Sequence, residues 1–368
     1  MGDFSRHGDM RDPKFSAWLR RAWDAPPGSP PRGCGILAVL ARLYGFGVAL
    51  NGPRVERATI PVVSGGSIWV GGAGKTPLAA ELAALARAEG LRPAIVLRGY
   101  RGLVRRGAER VTVAMGPSAA RRFGDEACLH AQGQESPVYV APRRIEGVRL
   151  AAREGSDLAI LDDGMQHRSL ARALEIVSLP AECPFGNGWL LPRGPLREPP
   201  TALARADLIV LAYVDRSGVR DDVRKQLARF APMAGVLAWR AGLRLRPFAP
   251  RDRSCGVPPP GSRVALLCGL GNPSLFRRSM EEAGYRVAWM AAFADHHAYR
   301  AGEVEAVMER AATEGLHAVV TTAKDAIRIG SFAPRAESGL FVAELAINWM
   351  EPQAEEVLRA KLRTSLQD

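Results

Sequence analysis

The sequence predicts an α/β protein with a mainly parallel, doubly wound sheet and a second, smaller α/β domain. Short apolar strand candidates alternate with helical patterns, and most of these strands are apolar at every position. A glycine-rich turn joins the first strand to a helix. With 368 residues, the chain is long enough to bury two cores of ordinary size.

The composition is globular and strongly basic. Apolar residues make up 47% of the chain, charged residues 24%, and the formal net charge is +12, carried mostly by arginine. A basic balance favours anionic partners such as nucleic acid, anionic lipid or a phosphorylated substrate, although an arginine-rich codon bias also explains it. The five cysteines form no C-x-x-C pair, so neither a disulfide framework nor a zinc site is expected, and a reducing cytosol fits. Residues 1–33 contain no apolar signal segment.

The first element is the most apolar segment of the chain, residues 34–50. As a helix it would span about 25 Å, a little short of a bilayer core. Arg42 lies near its middle, and Arg32 and Arg54 flank it. An ordinary buried helix explains this pattern. The alternative is a helix that lies in a membrane interface, with its basic flanks on anionic head groups.

The larger α/β pattern follows from residue 58. Its strand candidates are residues 60–63, 92–97, 111–115, 137–141, 157–163, 173–179 and 207–213. Helices are predicted over residues 75–89, closed by Gly90, and over residues 143–154. Apolar strands separated by helices predict a parallel sheet.

A second α/β pattern follows a segment rich in proline, arginine and glycine. Its strands are expected at 263–268, 285–293, 317–325 and 339–349, and its helices at 275–284, 301–315 and 352–365. The predicted division is therefore an N-terminal tail with the apolar helix (1–57), the larger domain (58–242), a linker (243–262), the smaller domain (263–350) and a closing helix with tail (351–368).

The glycine-rich turn carries the first chemical signal. A phosphate-binding loop needs glycines so that backbone N–H groups turn towards phosphates, a lysine for the outer phosphates and Ser or Thr for Mg²⁺. The residues expected to hold a nucleotide are Gly71, Gly72, Ala73, Gly74, Lys75, Thr76 and Pro77. The following helix N-terminus favours anions as well. An ordinary glycine-rich turn is the alternative, and Trp69 occupies the position of the first glycine in the usual spacing.

Acidic residues follow a predicted strand at the expected place for metal ligands. Asp162 and Asp163 end the strand 157–163, and carboxyl ends of parallel strands face the same crevice as a phosphate loop. A solvated acidic turn is the alternative. His167 follows closely, and it fits either a residue linked to the metal or, as is more common for a single histidine, a structural hydrogen bond.

Three further stretches carry polar side chains that fit more than one interpretation. Asp125 and Glu126 near a helix start fit either helix capping or a base that accepts a hydroxyl proton. The run 295–297, Asp-His-His, fits a metal site, a surface turn or a histidine that orients a catalytic carboxylate. The loop 186–200, rich in arginine, glycine and proline, fits contact with an anionic substrate or a rigid connector.

In this order, these stretches resemble one family, the tetraacyldisaccharide 4'-kinases (lipid A 4'-kinases) of Gram-negative bacteria. The matching stretches are VGGAGKTP (70–77), RGYRG (98–102), GDE (124–126), DDGMQH (162–167), FGNGWLLPRGPLREP (185–199), GLGNP (269–273), DHH (295–297) and TTAKDA (321–326). The resemblance runs from about residue 40 to 350, and DDGMQH and the 185–199 stretch are its most specific parts. The chain departs from the family pattern at Ser67, Trp69, Leu97 and Ala323.

The resemblance implies a P-loop kinase that transfers the γ-phosphoryl group of ATP to the 4'-hydroxyl of a tetraacyl disaccharide 1-phosphate, giving lipid IVA. Lys75 and the loop amides would hold the phosphates, and Mg²⁺ would be held by Thr76, Asp162, Asp163 and Glu198. Asp125, paired with His296, would accept the hydroxyl proton. The substrate contacts implied are Arg98, Gln166, His167, Asn187, Arg193 and Arg197.

A lipid acceptor also favours the membrane-interface interpretation of residues 34–50. The expected enzyme is a monomer, peripheral on the cytoplasmic face of the inner membrane, with no nucleic-acid partner. One alternative is a P-loop GTPase or metallochaperone switch, against which no N-K-x-D tetrapeptide is present. A basic nucleic-acid-binding protein and a kinase relative with another acceptor are the other two.

Overall fold

The computed structural model describes residues 23, 34–50, 54–100, 102–112, 117–133, 135–215, 218–248, 256–270, 273–294, 297–330 and 339–366. The helices are α1 (Cys34–Leu50), α2 (Lys75–Ala88), α3 (Pro117–Phe123), α4 (Asp125–Gly133), α5 (Arg144–Arg153), α6 (Asp221–Phe230), α7 (Pro273–Glu282), α8 (Ala301–Thr313), α9 (Ala323–Ile329) and α10 (Ala354–Ser365), with a 3₁₀ helix at Pro200–Arg205. The strands are β1 (Val62–Gly66), β2 (Pro93–Leu97), β3 (Glu109–Arg110), β4 (Val138–Val140), β5 (Leu158–Asp162), β6 (Leu174–Pro180), β7 (Leu208–Ala212), β8 (Gly235–Pro247), β9 (Arg263–Cys268), β10 (Arg286–Ala292), β11 (Ala318–Thr322) and β12 (Leu340–Trp349).

The described strands form one sheet in the order β10-β9-β11-β12-β8-β7-β6-β1-β5-β2-β4-β3. Neighbouring strands are parallel except in the pairs β3–β4 and β8–β12. The predicted α/β class with a mainly parallel sheet is therefore confirmed. Strand β1 lies between β5 and β6, so the loop that follows it opens at the carboxyl edge of the sheet, where open α/β sheets bind ligands.

Helices cover both faces of the sheet around β1. Strands β1, β2, β5 and β7 are buried at every position, as expected for strands between two helical layers. Leu78 and Leu82 of α2 pack into the core on one face. Ile145 and Val148 of α5 pack into a separate core on the other face. Buried strands with helices on both sides hold the loop after β1 on a rigid base.

Strand β8 corrects the predicted linker. Its first part pairs in parallel with β7, and its second part pairs antiparallel with β12. Residues 243–247 therefore continue the sheet, because apolar Leu243 and Leu245 alternate with Arg244 and Arg246 at the period of a strand. Arg246 also forms an ion pair with a glutamate of β12. Residues 249–255 of the predicted linker lie outside the described residues, and the division into two domains stays a prediction.

Two smaller predictions also differ from the structure. The first strand runs over Val62–Gly66 rather than 60–63, because Ser64, Gly65 and Gly66 continue the parallel pairing with the neighbouring strands β5 and β6. The expected strand 111–115 is replaced by the short β3, and residues 113–116 lie outside the described part.

Helix α1 begins and ends as predicted, but its apolar side chains face solvent. Ile36, Leu43 and Phe46 are 75%, 63% and 65% exposed, and Val39 is also exposed. The helix is therefore not the buried helix that its composition permits. Among the described helices, none combines the length and hydropathy that a membrane crossing needs.

Candidate active site

The loop after β1 has the backbone of a phosphate-binding loop. Gly71 and Gly74 adopt left-handed conformations with φ of 85° and 75°, which glycine adopts without strain. The N–H of Ala73 donates to the Gly71 carbonyl at 2.7 Å, which closes the turn. Helix α2 begins at Lys75, so Lys75, Thr76 and Pro77 form its first turn, where a proline is tolerated. A Cβ at Gly72 would meet no atom within 4 Å, so the loop faces open space.

Trp69 packs away from this loop. Its backbone pairs with Leu196 as an isolated antiparallel bridge, and the Val70 N–H donates to the Pro195 carbonyl at 2.9 Å. Its indole N–H donates to the Pro184 carbonyl. The Ser67 hydroxyl accepts the Trp69 N–H at 3.0 Å. The two departures from the family pattern at 67 and 69 therefore join the P-loop to the loop 185–198 and leave the glycines unobstructed.

Asp162 ends β5 beside the P-loop and is almost fully buried. His130 Nε2 of α4 lies 2.8 Å from Asp162 Oδ2, and both side chains are buried. Burial by itself raises the pKa of Asp162, but the hydrogen bond and charge of His130, together with Lys75 and the Thr76 hydroxyl, outweigh it and lower the pKa. Asp162 is therefore a carboxylate at neutral pH.

Asp163 links the P-loop lysine to the loop 185–198. It has a left-handed backbone with φ of 55°. Lys75 Nζ lies 3.6 Å from Asp163 Oδ1 and donates to the Gly71 carbonyl at 3.1 Å. Arg197 Nη1 donates to Asp163 Oδ2 at 2.6 Å and to Gln166 Oε1 at 3.1 Å. These contacts fix the orientation of Lys75 at the mouth of the loop.

Glu198 is buried and holds two neighbouring segments together. Gln166 Nε2 donates to Glu198 Oε1 at 3.0 Å and to the Ser67 carbonyl at 2.9 Å. Arg205 Nη2 donates to Glu198 Oε2 at 2.8 Å. Both carboxylate oxygens therefore have protein partners, which favours a positioning role. The prediction that Glu198 holds Mg²⁺ stays a prediction.

The residues at the end of β5 fit a magnesium ion. Asp162 Oδ1 and Asp163 Oδ1 are buried oxygens that accept no hydrogen bond from any residue the structure describes. Mg²⁺ in phosphate-transfer sites takes one or two carboxylates and completes its shell with water and phosphate oxygens. Within the part of the chain that the structure describes, no group of three or more His, Cys, Asp or Glu side chains could hold a metal ion. Asp162 and Asp163 therefore fit a metal ion whose remaining ligands are the phosphate oxygens of a nucleotide and water.

Asp125 and Glu126 begin α4, on the side of the cleft next to β5. Arg328 of α9 donates from Nη2 to Asp125 Oδ2 at 2.5 Å, with the arginine side chain 12% exposed. Glu126 is solvent-exposed on one side. Its pKa is raised, first because the neighbouring protein displaces water from the carboxylate and then because of the negative charges of Asp162 and Asp163. The influence of Asp162 and Asp163 on Glu126 means that this helix start and the P-loop carboxylates share one cleft.

The predicted partner of Asp125, His296, lies outside the described residues, as does Asp295. The next residue, His297, is described. Its Nε2 lies 2.9 Å from Glu303 Oε2 of α8, and its ring stacks on Phe293 with centroids 4.6 Å apart. His297 is therefore held between Glu303 of α8 and Phe293, the residue that follows β10.

Four arginine side chains lie close enough to His167 for their charges to influence its titration. Burial is the first cause that lowers the pKa of His167 to about 4, followed by the charges of Arg144, Arg172, Arg98 and Arg143. Arg144 is itself buried, and its Nε finds no acceptor among the described residues. Burial lowers its pKa to about 10, so it remains charged at neutral pH. This face of the cleft has the charge that suits an anionic ligand.

The lowered pKa of His167 predicts a loss of stability in acid. The unfolded histidine takes up a proton near pH 6.5, whereas the folded one resists it down to about pH 4, so the unfolding midpoint falls as the pH drops through this window. His167→Gln is expected to reduce that fall, measured by thermal denaturation at about pH 7 and pH 5. His317→Gln, at an exposed histidine, is the control. An acid loss as large in His167→Gln as in wild type would contradict this prediction.

Asn187 and Arg193, both predicted to contact substrate, shape the loop 185–198. Asn187 Nδ2 donates to the Arg193 carbonyl, and its Oδ1 accepts the Trp189 N–H, both at 3.1 Å. The Arg193 guanidinium lies 3.7 Å from the centroid of the Trp189 ring. Gly194 fits this arrangement because a Cβ there would overlap the Trp189 carbonyl. Their substrate contacts stay predictions.

Sequence reasoning missed two residues of this site. His130 lies five positions after Asp125, on the inward side of α4, and Arg328 lies four positions after Lys324 on α9. Neither belongs to a motif, and each meets its partner only through the fold. A histidine in the helix that begins with Asp125 was the single available signal.

The family model described as tetraacyldisaccharide-1-P 4'-kinase matches residues 35–363. A tetraacyldisaccharide 4'-kinase of Anaeromyxobacter dehalogenans (strain 2CP-C) is 46% identical over 278 residues, covering 74% of this chain and 73% of the relative. Another, of Alkalilimnicola ehrlichii, is 37% identical over 352 residues and covers 94% and 95%. The crystal structure of LpxK from Aquifex aeolicus in complex with ATP has a similar fold, with TM-score 0.67, 24% identity and coverage of 89% and 98%.

Proposed function

The chain belongs to the tetraacyldisaccharide-1-P 4'-kinase family, and from this we propose that its cleft phosphorylates the 4'-hydroxyl of a tetraacyl disaccharide 1-phosphate with ATP. The product is lipid IVA, a precursor of lipid A. The observation that carries this proposal is the position of α1. A Cβ on Gly45 would lie 2.8 Å from Leu190 Cδ1, so an exposed apolar helix packs on the rim of a phosphate-binding cleft.

The P-loop residues are proposed to bind the ATP phosphates. The backbone amides of the loop and the N-terminus of α2 face the anion, and Lys75 exchanges its contact with Asp163 for the outer phosphates. Thr76, Asp162 and Asp163 would hold Mg²⁺, which neutralises charge on the phosphates when it is bound. Arg197 keeps Asp163 oriented after Lys75 has moved. The loop therefore supplies position and charge, which are the main requirements of phosphoryl transfer.

Asp125 is proposed as the base that accepts the proton of the 4'-hydroxyl, and His296 as its partner. Support comes from the position of α4, whose His130 bonds to Asp162 while its first residue faces the same cleft. For in-line transfer, the acceptor hydroxyl must lie across from the P-loop, and a carboxylate at that place can accept its proton. The basic face around His167 and Arg98 suits the 1-phosphate of the acceptor.

The chain is proposed to act as a monomer, peripheral on the cytoplasmic face of the inner membrane, with α1 in the lipid interface. Its exposed Leu43 and Phe46 would enter the acyl region, and Arg42 together with the flanking Arg54 would contact anionic head groups. Tyr44 of the same helix is influenced by the charges of Arg197 and Glu198, so this face lies next to the cleft. An acylated acceptor would then meet the site without leaving the membrane.

The double variant Leu43→Glu, Phe46→Glu is expected to weaken binding to anionic phospholipid vesicles by at least about tenfold, because two apolar side chains no longer enter the bilayer. Both positions are exposed, so the fold is preserved. Vesicle sedimentation measures the bound fraction. Met233→Glu, at a residue 93% exposed, is the matched control. Sedimentation of the double variant equal to wild type would rule out α1 as the anchor.

Arg328→Ala is expected to lower kcat by about tenfold to a hundredfold with little change in the KM for ATP, because Asp125 loses the ion pair that orients it. Arg328→Lys keeps a charge and is expected to recover part of the rate. Steady-state kinetics with a saturating acceptor separate kcat from KM. A loss confined to the KM for ATP would show that Arg328 does not act through Asp125.

ADP release tests the proposed function against a nucleotide-dependent switch. For the kinase, release from ATP accelerates strongly when a tetraacyl disaccharide 1-phosphate in detergent micelles is added. GTP is expected to be a poor substitute, consistent with the missing N-K-x-D tetrapeptide. Release that is indifferent to the lipid, with a preference for GTP, would favour the GTPase or metallochaperone alternative instead.

A further inference from the structure

Tyr213 stands immediately after β7 in an unusual conformation. Its φ of 61° is left-handed, a region that bulky side chains rarely adopt and that is concentrated at functional sites. The ring packs against Trp239 of β8, with centroids 4.8 Å apart and planes inclined by 56°. The strained backbone therefore directs an aromatic side chain onto a second aromatic ring.

This aromatic pair lies directly against the P-loop. A Cβ on Gly74, the last glycine of the loop, would fall 2.7 Å from Trp239 Cζ2 and 2.9 Å from the Cβ of Ala212. Trp239 belongs to the same core as Leu78 and Leu82 of α2, so the pair lies on the face of the sheet that α2 covers. The pair and the phosphate-binding turn thus share one wall.

The two rings are exposed very differently. Trp239 is fully buried, whereas Tyr213 is 39% exposed. The Trp239 indole N–H, beside Cζ2, has no acceptor in the described part of the chain. Partial burial of the phenol raises the pKa of Tyr213, so its side chain stays neutral. Trp239 is therefore a buried support, and Tyr213 presents a neutral aromatic ring to solvent beside the P-loop.

The sheet order leaves one direction for a nucleoside. Asp162 at the end of β5 and Arg98 after β2 lie on one side of β1, and the proposed base Asp125 begins the helix whose His130 bonds to Asp162. On the other side lie β6 and then β7, which Tyr213 follows directly. A triphosphate held at Lys75 must extend its nucleoside away from the acceptor, because the terminal phosphate has to face the acceptor hydroxyl for in-line transfer.

We propose that Tyr213, supported by Trp239, is the stacking platform for the nucleobase of the ATP whose phosphates occupy the P-loop. The inference rests on the proposed function, since it takes the P-loop ligand to be a nucleoside triphosphate. Stacking on an aromatic ring uses the face common to all bases, so the platform contributes affinity without selecting a base by hydrogen bonding.

The test compares ATP with inorganic tripolyphosphate, which has the phosphates but no base, by calorimetric titration of the full-length protein with Mg²⁺ present. Tyr213→Leu keeps bulk over Trp239, and Tyr213→Gly relieves the left-handed backbone. Both are expected to weaken ATP binding roughly 5- to 150-fold and to leave tripolyphosphate binding unchanged. Tyr213→Phe keeps the ring and the ATP affinity. Tyr100→Leu, at an exposed tyrosine after β2, is the matched control with unchanged ATP affinity.

Wild-type ATP affinity in folded Tyr213→Leu and Tyr213→Gly would overturn the platform, and so would an equal loss for ATP and tripolyphosphate. Thermal denaturation of each variant verifies that it is folded. The proposed function fails separately. If the Tyr213 variants lose ATP affinity but the wild-type protein transfers no phosphate to the lipid, the stacking platform stands and the proposed kinase activity is refuted. Lipid phosphorylation with an ATP affinity indifferent to Tyr213 does the reverse.

Discussion

Asp125→Asn is expected to lower kcat by about 10²- to 10⁴-fold, the usual contribution of a general base, while ATP binding stays close to wild type. Asparagine has nearly the same size and still accepts a hydrogen bond from Arg328, but it cannot take up the hydroxyl proton. The P-loop, Asp162 and His130 are untouched by the change. The loss therefore falls on the chemical step.

Single-turnover transfer from ATP to the lipid, together with ATP titration, separates these two effects. Glu126→Gln is the matched control, because Glu126 is the neighbouring carboxylate at the start of the same helix. Its loss is expected to be much smaller than that of Asp125→Asn. If Asp125→Asn kept nearly full turnover, or if Glu126→Gln caused the larger loss, the proton acceptor would have to be sought elsewhere.

Lys75→Ala is expected to reduce kcat/KM by at least about 10²- to 10³-fold, because one positioned charge at the transferring phosphate is lost. Lys75 also contacts the cleft itself, because its Nζ lies 3.6 Å from Asp163 Oδ1 and donates to the Gly71 carbonyl. Its removal leaves Asp162 and Asp163 without the nearest cation of the loop. ATP binding is therefore expected to weaken as well.

Initial rates over a range of ATP concentrations measure this prediction, and thermal denaturation verifies the fold. Lys225→Ala, on the exposed side of α6, is the control that removes one positive charge far from the cleft and is expected to behave as wild type. Equal losses in both variants would point to the overall charge of the protein rather than to the P-loop lysine.

Local patterns were sufficient for much of the fold. Helix α1 and strands β2 and β7 follow runs of apolar residues with clear ends, and the structure places them where periodicity predicts. Strand β8 escaped because proline, arginine and glycine suggested a linker, although Leu243 and Leu245 alternate with arginines. Its pairing with β12 joins residues about 100 positions apart, and the sequence alone does not specify such a partner.

The candidate site, like the fold, could be predicted from the sequence only in part. The P-loop and the carboxylates after β5 have local spacing that reflects their chemistry, so their positions could be predicted before the fold was known. The contact of His130 with Asp162 and that of Arg328 with Asp125 join separate elements and belong to no motif. Trp69 shows the converse, because the residue that breaks the usual spacing turns its indole towards the Pro184 carbonyl and leaves Gly71 and Gly72 open.

The most direct test of the account is transfer of labelled γ-phosphate from ATP to a tetraacyl disaccharide 1-phosphate in detergent micelles by the purified protein. Labelled lipid that carries the new phosphate at the 4' position is expected, and at least about 10²-fold less of it with Lys75→Ala. Folded wild-type protein that binds ATP but leaves the lipid unlabelled, or labels it elsewhere than the 4' position, would contradict it.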